Sequence, residues 1–357
     1  MVAVAVTLVS VATAVGCARD DRDLGPLLDG VVAAGAPGVL VVLQEDGTIR
    51  SEARGFADVS KAIPMRPGQR FRIGSVTKTF VAALVLQLVQ DGRLQLDDTV
   101  ERWLPGLVPG GRSITVRHLL SHTAGLFDYV EDRLTFQDRE RRWRPKELVR
   151  LATAHPPARE IPGRDFAYSS TNYILLGLIA ETATGMPLQR LLGNHLFESL
   201  ELRDTSFVPG VIRGPHVHGH RPPSHQGVVT GPPADTSDEP AWWAWAAGAI
   251  VSTAQDVQSF YAALLQGRVI GPRLLREMET LVPAGRLQYG FGLATFPTPC
   301  GDAWGHTGNA QGTIVVAWNT KDASRQLVLV VNTYPLTGEL EEAVRELHDA
   351  AFCSARP

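Results

Sequence analysis

The sequence predicts an α+β fold: one antiparallel sheet built from both chain ends and flanked by terminal helices, with a helix-rich lobe inserted over about residues 90–250. Three observations lead there. Apolar runs bounded by turn residues gather near the two ends of the chain, at 38–55 and 289–333. The stretch between them carries apolar residues at helical spacing and is short of strand signals until about Arg203. Amphipathic segments at 24–34 and 339–352 stand outside both strand groups.

Taken in order, residues 24–34 form the first helix, stopped by Gly35 and Pro37. Residues 38–43 and 49–55 follow as the two strands of a hairpin turned at Glu45-Asp46-Gly47. A short strand, 70–73, leads into a helix whose apolar face runs through Phe80, Ala83, Leu84 and Leu88. Residues 94–103 read as loop and short helix, 114–121 as a helix entered at Thr115, and 145–153 as another. Residues 170–182 are strongly apolar at helical spacing, and Thr184-Gly185 closes that helix. Gly, Pro and His dominate 209–240, which reads as a long irregular excursion within the domain. Its alternating His216, His218 and His220 are taken as loop histidines, because metal ligation asks for an ordered strand and a further ligand. Trp242, Trp243 and Trp245 follow as core or cleft wall, with Trp243 the candidate to meet a substrate. After a helix at 256–265, strands are expected at 289–295, 303–305, 313–320 and 326–333, and 339–352 is the closing helix.

The 357 residues suffice for a full hydrophobic core, and no internal repeat is present. A formal net charge of −3 with interspersed signs leaves no basic stripe, which excludes nucleic acid as the main partner. The basic run at 138–144 is broken by acids and reads as a solvated face.

Residues 1–16 are apolar, with no charged side chain before Arg19, and are too short for a comfortable membrane span. They occupy the place of a signal-peptide core but lack its basic flank. Ala14-Val15-Gly16-Cys17 resembles a bacterial lipoprotein cleavage box, with Ala14 where leucine is usual. Three readings stand side by side: a lipoprotein leader with a lipidated, membrane-anchoring Cys17 and an 18–23 tether, plain secretion, or a buried helix. On the first two, residues 1–23 are leader and tether, 24–357 are one domain, and the location is extracytoplasmic. With Cys17 set aside, Cys300 and Cys353 remain as either a bridged pair or two free thiols.

Chemistry gathers at Ile73-Gly-Ser-Val-Thr-Lys-Thr-Phe80. Ser75 falls at the first turn of the helix with Lys78 three residues on, so hydroxyl and amine share one face beside the free amides of the helix start. A serine needs a neighbouring base, and a desolvated lysine can serve as one. About one Ser-x-x-Lys arises by chance in a chain of this length, so the motif needs company. Tyr168-Ser169-Ser170 stands at the start of the next apolar helix, where Tyr168 can enter a cleft between lobe and sheet. His306-Thr307-Gly308 stands at a strand edge, where Gly308 lets a ligand backbone approach.

With these three motifs the chain resembles the serine β-lactamase and penicillin-binding superfamily, closest to its class C-like branch and the exported D-alanyl-D-alanine carboxypeptidases of actinomycetes. The resemblance runs from about Leu24 to the end. It also rests on Leu119-Leu-Ser-His-Thr-Ala-Gly125, Tyr168-Ser-Ser-Thr-Asn-Tyr-Ile-Leu-Leu-Gly177, Ala247-Gly-Ala-Ile-Val-Ser252 and Tyr289-Gly-Phe-Gly292. It implies Ser75 as nucleophile, Lys78 and Tyr168 as the proton-transfer pair with Tyr168 the base towards incoming water, and the amides of Ser75 and Asn309 as the oxyanion site. It further implies substrate contacts at Ser170, His306, Thr307, Gly308 and Asn309, a disulfide between Cys300 and Cys353, and no metal or cofactor. Where the family pattern has Tyr-x-Asn this chain has Ser170, whose hydroxyl lacks the donor–acceptor pair of an amide, and Asn172 stands at a different offset. Ala294 stands where some relatives carry an arginine for a substrate carboxylate.

The implied activity is a D-alanyl-D-alanine carboxypeptidase acting through an acyl-enzyme on peptidoglycan stem peptides, with β-lactams as further ligands. The alternatives on the same scaffold are an esterase or weak β-lactamase acting on other small acyl substrates. A penicillin-binding sensor with little turnover is the alternative of another class.

Overall fold

The computed structural model describes residues 23–353 apart from 46, 226, 227, 230, 232 and 337, so Cys17, the leader and the hairpin residue Asp46 lie outside the described residues. Nine strands form one antiparallel sheet, in the spatial order Val282–Ala284, Leu287–Tyr289, Ala294–Thr298, Gly301–Ala310, Thr313–Asn319, Arg325–Val331, Gly38–Glu45, Thr48–Asp58 and Ile63–Pro64. The first long strand of the chain and the last are neighbours at the centre, in the register Val39 opposite Val331 and Val41 opposite Leu329. The two chain ends therefore build one sheet, as the distribution of apolar runs predicts.

These central strands read as unbroken apolar runs because both faces are covered. Val39, Val41, Leu327, Leu329 and Val331 point to one face, where they meet Leu28 and Val31 of the helix Gly25–Ala33 and Leu340, Val344 and Leu347 of the helix Glu339–Phe352. Leu40, Val42, Val328 and Val330 point to the other and join the main core under the helical lobe. The axis of that lobe is the helix Thr77–Gln90, in which ten consecutive residues, Thr77 to Leu86, are buried. A helix apolar on every side belongs inside a domain, and here it is surrounded by Ser170–Thr184, Ala254–Leu265 and the sheet. Phe80 stacks on Phe260 with ring centroids 3.6 Å apart. Helix boundaries follow their caps: the Thr115 hydroxyl accepts from the His118 amide at the start of Val116–Leu120, and Gly185 closes Ser170–Thr184 in the left-handed conformation. Cys300 and Cys353 form a disulfide with Cα atoms 5.5 Å apart, tying the closing helix to the turn before Gly301–Ala310.

Three expectations are corrected. The short strand before the nucleophile, observed as Phe71–Arg72, leaves the main sheet and pairs with Ile250–Ser252, which also pairs with Ser206–Phe207. The run expected as one strand at 289–295 is two, Leu287–Tyr289 and Ala294–Thr298, broken by a turn at 290–293. Gly292 has φ +65° there, and a Cβ on it would lie 2.8 Å from the Lys78 carbonyl oxygen, so the turn is what lets the chain close against the helix Thr77–Gln90. The excursion over 209–240 is not wholly irregular, since His220–Arg221 pairs with Ala234–Asp235 and Ser224–His225 with Val228–Val229. Among the described residues no helix is long and apolar enough to cross a membrane.

Candidate active site

Ser75 lies in a single 3₁₀ turn, Gly74–Val76, that runs directly into the helix Thr77–Gln90. Gly74 makes this placement possible: its φ is +52°, and a Cβ there would lie 2.6 Å from the Asn309 amide nitrogen. A Cβ on Gly308 would likewise lie 3.0 Å from the Ser75 nitrogen. The serine turn and the Gly301–Ala310 strand thus touch backbone to backbone, and the amides of Ser75 and Asn309 sit at that junction. This is the arrangement an acyl oxyanion needs, two fixed N–H donors on either side of the nucleophile.

Lys78 is 1% exposed. Its Nζ stands 3.0 Å from Ser75 Oγ and 3.0 Å from the Ala247 carbonyl oxygen, with the Tyr168 ring centroid at 5.0 Å. Burial lowers its pKa to about 7, and the Asp128 carboxylate opposes that fall. As a neutral amine it donates to Ala247 and accepts the Ser75 proton. Tyr168 is 38% exposed as a residue, but desolvation of its hydroxyl, which the Ser75 side chain only partly offsets, holds it above the ordinary tyrosine range, so it rests as the phenol. At rest, then, the lysine rather than the tyrosine is the group able to take a proton, and the Tyr168 phenol is able to give one. A role for Tyr168 as base towards water requires that it first hand its own proton on.

The Gly301–Ala310 strand pairs on one side with Thr313–Asn319 from Trp304 to Ala310, and on the other with Ala294–Thr298 only from Gly301 to Gly305. Beyond Gly305 no strand among the described residues pairs along that edge, and Thr307 and Asn309 are exposed along it while His306 and Gly308 are buried. His306 does not face substrate as a polar contact. Its ring is 5% exposed, Nε2 lies 3.0 Å from the Tyr289 hydroxyl, and Nδ1 donates to the Thr307 carbonyl. Burial, with Lys78 nearby, lowers its pKa to about 3, so it is a neutral imidazole supporting the cleft floor.

Asp128 was not legible in the sequence, since it lies in a loop and belongs to no motif. Phe127, the residue before it, accepts through its carbonyl from Ser169 Oγ at 3.0 Å and Thr171 Oγ1 at 2.7 Å, which holds the loop against the start of the Tyr168 helix. Ser170 Oγ donates to Asp128 Oδ2 at 3.5 Å, and the Val130 amide donates to Oδ1. Burial raises the Asp128 pKa, and the Val130 amide, Lys78 and the Ser170 backbone counter the rise. Ser170 therefore occupies its place as a partner of Asp128. Asn172 turns away to His122, 3.0 Å from Nδ1. Trp243 is half-buried, accepts from the Tyr129 hydroxyl through its carbonyl at 2.6 Å, and carries the Arg139 guanidinium 5.2 Å from its ring. It stands in the segment that leads to Ala247, and no described contact joins it to Ser75.

The alternating histidines do not converge on one point. His220 Nδ1 lies 3.1 Å from the Asn332 carbonyl, while His218 lies between Asp235, at 2.8 Å, and Asp58, at 3.6 Å. Asp58, His218 and Asp235 bring donor atoms within 4.8 Å of one another, but Asp58 already accepts from Lys61 Nζ, the Lys61 amide and Ser60 Oγ. The lysine ammonium supplies the positive charge there.

A serine at a helix start, a desolvated lysine one turn on, a phenol across the cleft and two amides at a strand junction define an acyl-serine hydrolase. The chain belongs to the beta-lactamase family, whose profile matches residues 24–352. A D-stereospecific amidohydrolase from Streptomyces sp. superposes with a TM-score of 0.81 at 34% identity, covering 93% of this chain and 98% of that one. The D-amino acid amidase of Ochrobactrum anthropi SV3 gives 0.83 at 28% identity, over 92% and 96%. Esterase EstB of Burkholderia gladioli is 37% identical over 186 residues, 48% of this chain and 46% of that one. The chain spans about half the length of the curated relatives it matches.

Proposed function

We propose that the protein hydrolyses amides of D-amino acids, or of short peptides beginning with one, through an acyl-enzyme on Ser75. The observation that carries this is Asp128, a carboxylate set beside the catalytic lysine and bonded by Ser170. An anion there attracts the α-ammonium of an unblocked amino-acid amide and repels a substrate carboxylate. The amidohydrolase and amidase to which the chain is similar support the reading, and the D configuration is carried over from them.

In acylation the Ser75 oxygen bonds to the amide carbon as its proton passes to the neutral Lys78. The oxyanion is held by the Ser75 and Asn309 amides. The carbon–nitrogen bond then breaks, the leaving amine takes the Tyr168 proton, and Lys78 restores it to Tyr168. Water repeats the sequence on the ester and frees Ser75. An ester reacts by the same steps with an easier leaving group, in keeping with the likeness to EstB.

A second reading, the D-alanyl-D-alanine carboxypeptidase acting on stem peptides outside the membrane, is favoured by the strand edge at Thr307 and Asn309, unpaired among the described residues, which suits an extended peptide. The test is ammonia release from D- and L-phenylalaninamide, from N-acetyl-D-phenylalaninamide, and D-alanine release from diacetyl-Lys-D-Ala-D-Ala. The proposal expects turnover of the unblocked D-amide alone. Equal rates on the acetylated amide overturn it, and D-alanine release without amide hydrolysis favours the second reading. In parallel, fluorescent penicillin should label the native protein and not Ser75→Ala.

A further inference from the structure

His122 lies in the Leu119–Gly125 motif, and the chemistry above does not use it. It is 0% exposed and sits in the left-handed region at φ +56°, a conformation that non-glycine residues adopt at a cost. It holds Tyr168 from three directions. Its carbonyl accepts from the Ala167 amide at 2.8 Å and its Nδ1 accepts from the Ser169 amide at 3.2 Å, so the residues on both sides of Tyr168 are bonded to this one histidine. Its ring lies 4.3 Å from the Tyr168 ring, tilted by 33°. Asn172 Nδ2, from the first turn of the same helix, also donates to Nδ1. With two donors on Nδ1, the ring proton must reside on Nε2, which has no hydrogen-bond partner among the described residues. Lys78, His306, Tyr173 and Tyr289 are the other titratable groups around the ring; burial, with Lys78 and His306 nearby, keeps it neutral.

We propose that His122 is a positioning residue for acylation: as a neutral acceptor at Nδ1 it fixes the backbone at Ser169, and so the reach of the Tyr168 hydroxyl to Ser75. This rests on Tyr168 being the proton donor, as assigned above. Protonation of Nδ1, or its loss, would set donor against donor at Ser169 or leave that amide unbonded in the core.

Two polar variants separate the acceptor from bulk. His122→Asn places an acceptor near the Nδ1 position and tolerates the left-handed backbone, whereas His122→Gln carries its amide out towards the Nε2 position. The probe is the p-nitrophenyl acetate burst, which reads acylation of Ser75 whatever the natural substrate. His122→Gln should slow acylation by about 10²-fold with KM within about threefold, and His122→Asn should restore it to within about fivefold of wild type. In the wild type the Ser169 amide should be among those most protected from hydrogen exchange. Equal loss in both variants, no loss in His122→Gln, or rapid exchange at Ser169 in the wild type overturns the proposal. A wild type that is acylated but has no D-amide turnover overturns the substrate reading alone, and one with neither burst nor steady release of p-nitrophenol nor D-amide turnover overturns both.

Discussion

Lys78 Nζ lies equidistant, at 3.0 Å, from the Ser75 hydroxyl and the Ala247 carbonyl. The carbonyl demands a hydrogen from the amine, so one contact orients the lysine and the other uses it. Below its pKa of about 7 the nitrogen has no lone pair to accept with. Acylation should therefore rise with pH through a single limb near 7, and it should not fall again until above the ordinary tyrosine range, because Tyr168 is shifted upward. A limb at 4–5, measured as kcat/KM against pH, would assign the base to a carboxylate. Lys78→Arg, always charged, should lose about 10³-fold.

Asp128 raises the Lys78 pKa against the effect of burial. Asp128→Asn should move the acid limb of the rate profile to lower pH, because the protonated lysine loses its counter-charge. The same variant should raise KM for D-phenylalaninamide by about tenfold more than KM for p-nitrophenyl acetate, which has no ammonium to lose. Equal changes for both substrates would place the carboxylate outside substrate recognition.

Gly74→Ala should damage fold and site together. The new Cβ would enter a left-handed residue and press on the Asn309 amide. Strain and overlap together should cost at least about 3 kcal/mol, read as a fall in the denaturant midpoint. The acylation rate should fall in the fraction that remains folded, since the two oxyanion donors are pushed apart.

Cys353→Ser should lower stability and spare chemistry. The bridge closes a loop of 53 residues, which in the chain-entropy description corresponds to about 4 kcal/mol. Thermal unfolding should shift down while the p-nitrophenyl acetate burst at 25 °C is kept.

Much of this architecture is visible in residue order, for identifiable reasons. The strand at 38–45 and its partner at 325–331 are apolar on both faces, and such runs stand out wherever they lie. Ser75, Lys78 and Tyr168 are side chains within short motifs, and their types announce their chemistry. The turn at 290–293 is hidden because its neighbours are apolar enough to read as one strand. Phe71–Arg72 finds its partner at Val251 and Ser252, a pairing no local pattern encodes. Ala247 acts through a carbonyl, which every residue possesses. Asp128 is one acid among many until the Phe127 carbonyl is seen bonded to the helix that carries Tyr168. His122 is visible as part of a motif, but its grip on both neighbours of Tyr168 appears only in three dimensions.

The pairing of Val39 with Val331 also sets a schedule for synthesis. At ribosomal speeds the first central strand waits roughly 15 to 60 s before the neighbour that completes its edge has been made. During that interval an apolar strand and its hairpin are exposed to any other chain with an open edge. Asn309 arrives in the same late stretch, so the oxyanion site cannot form on a nascent chain that has not reached it, even though Ser75, Lys78 and Tyr168 are already in place in the sequence. The hydrolase is thereby silent until residues 309–331 have been translated, and holdase chaperones should bind it most strongly just before that point.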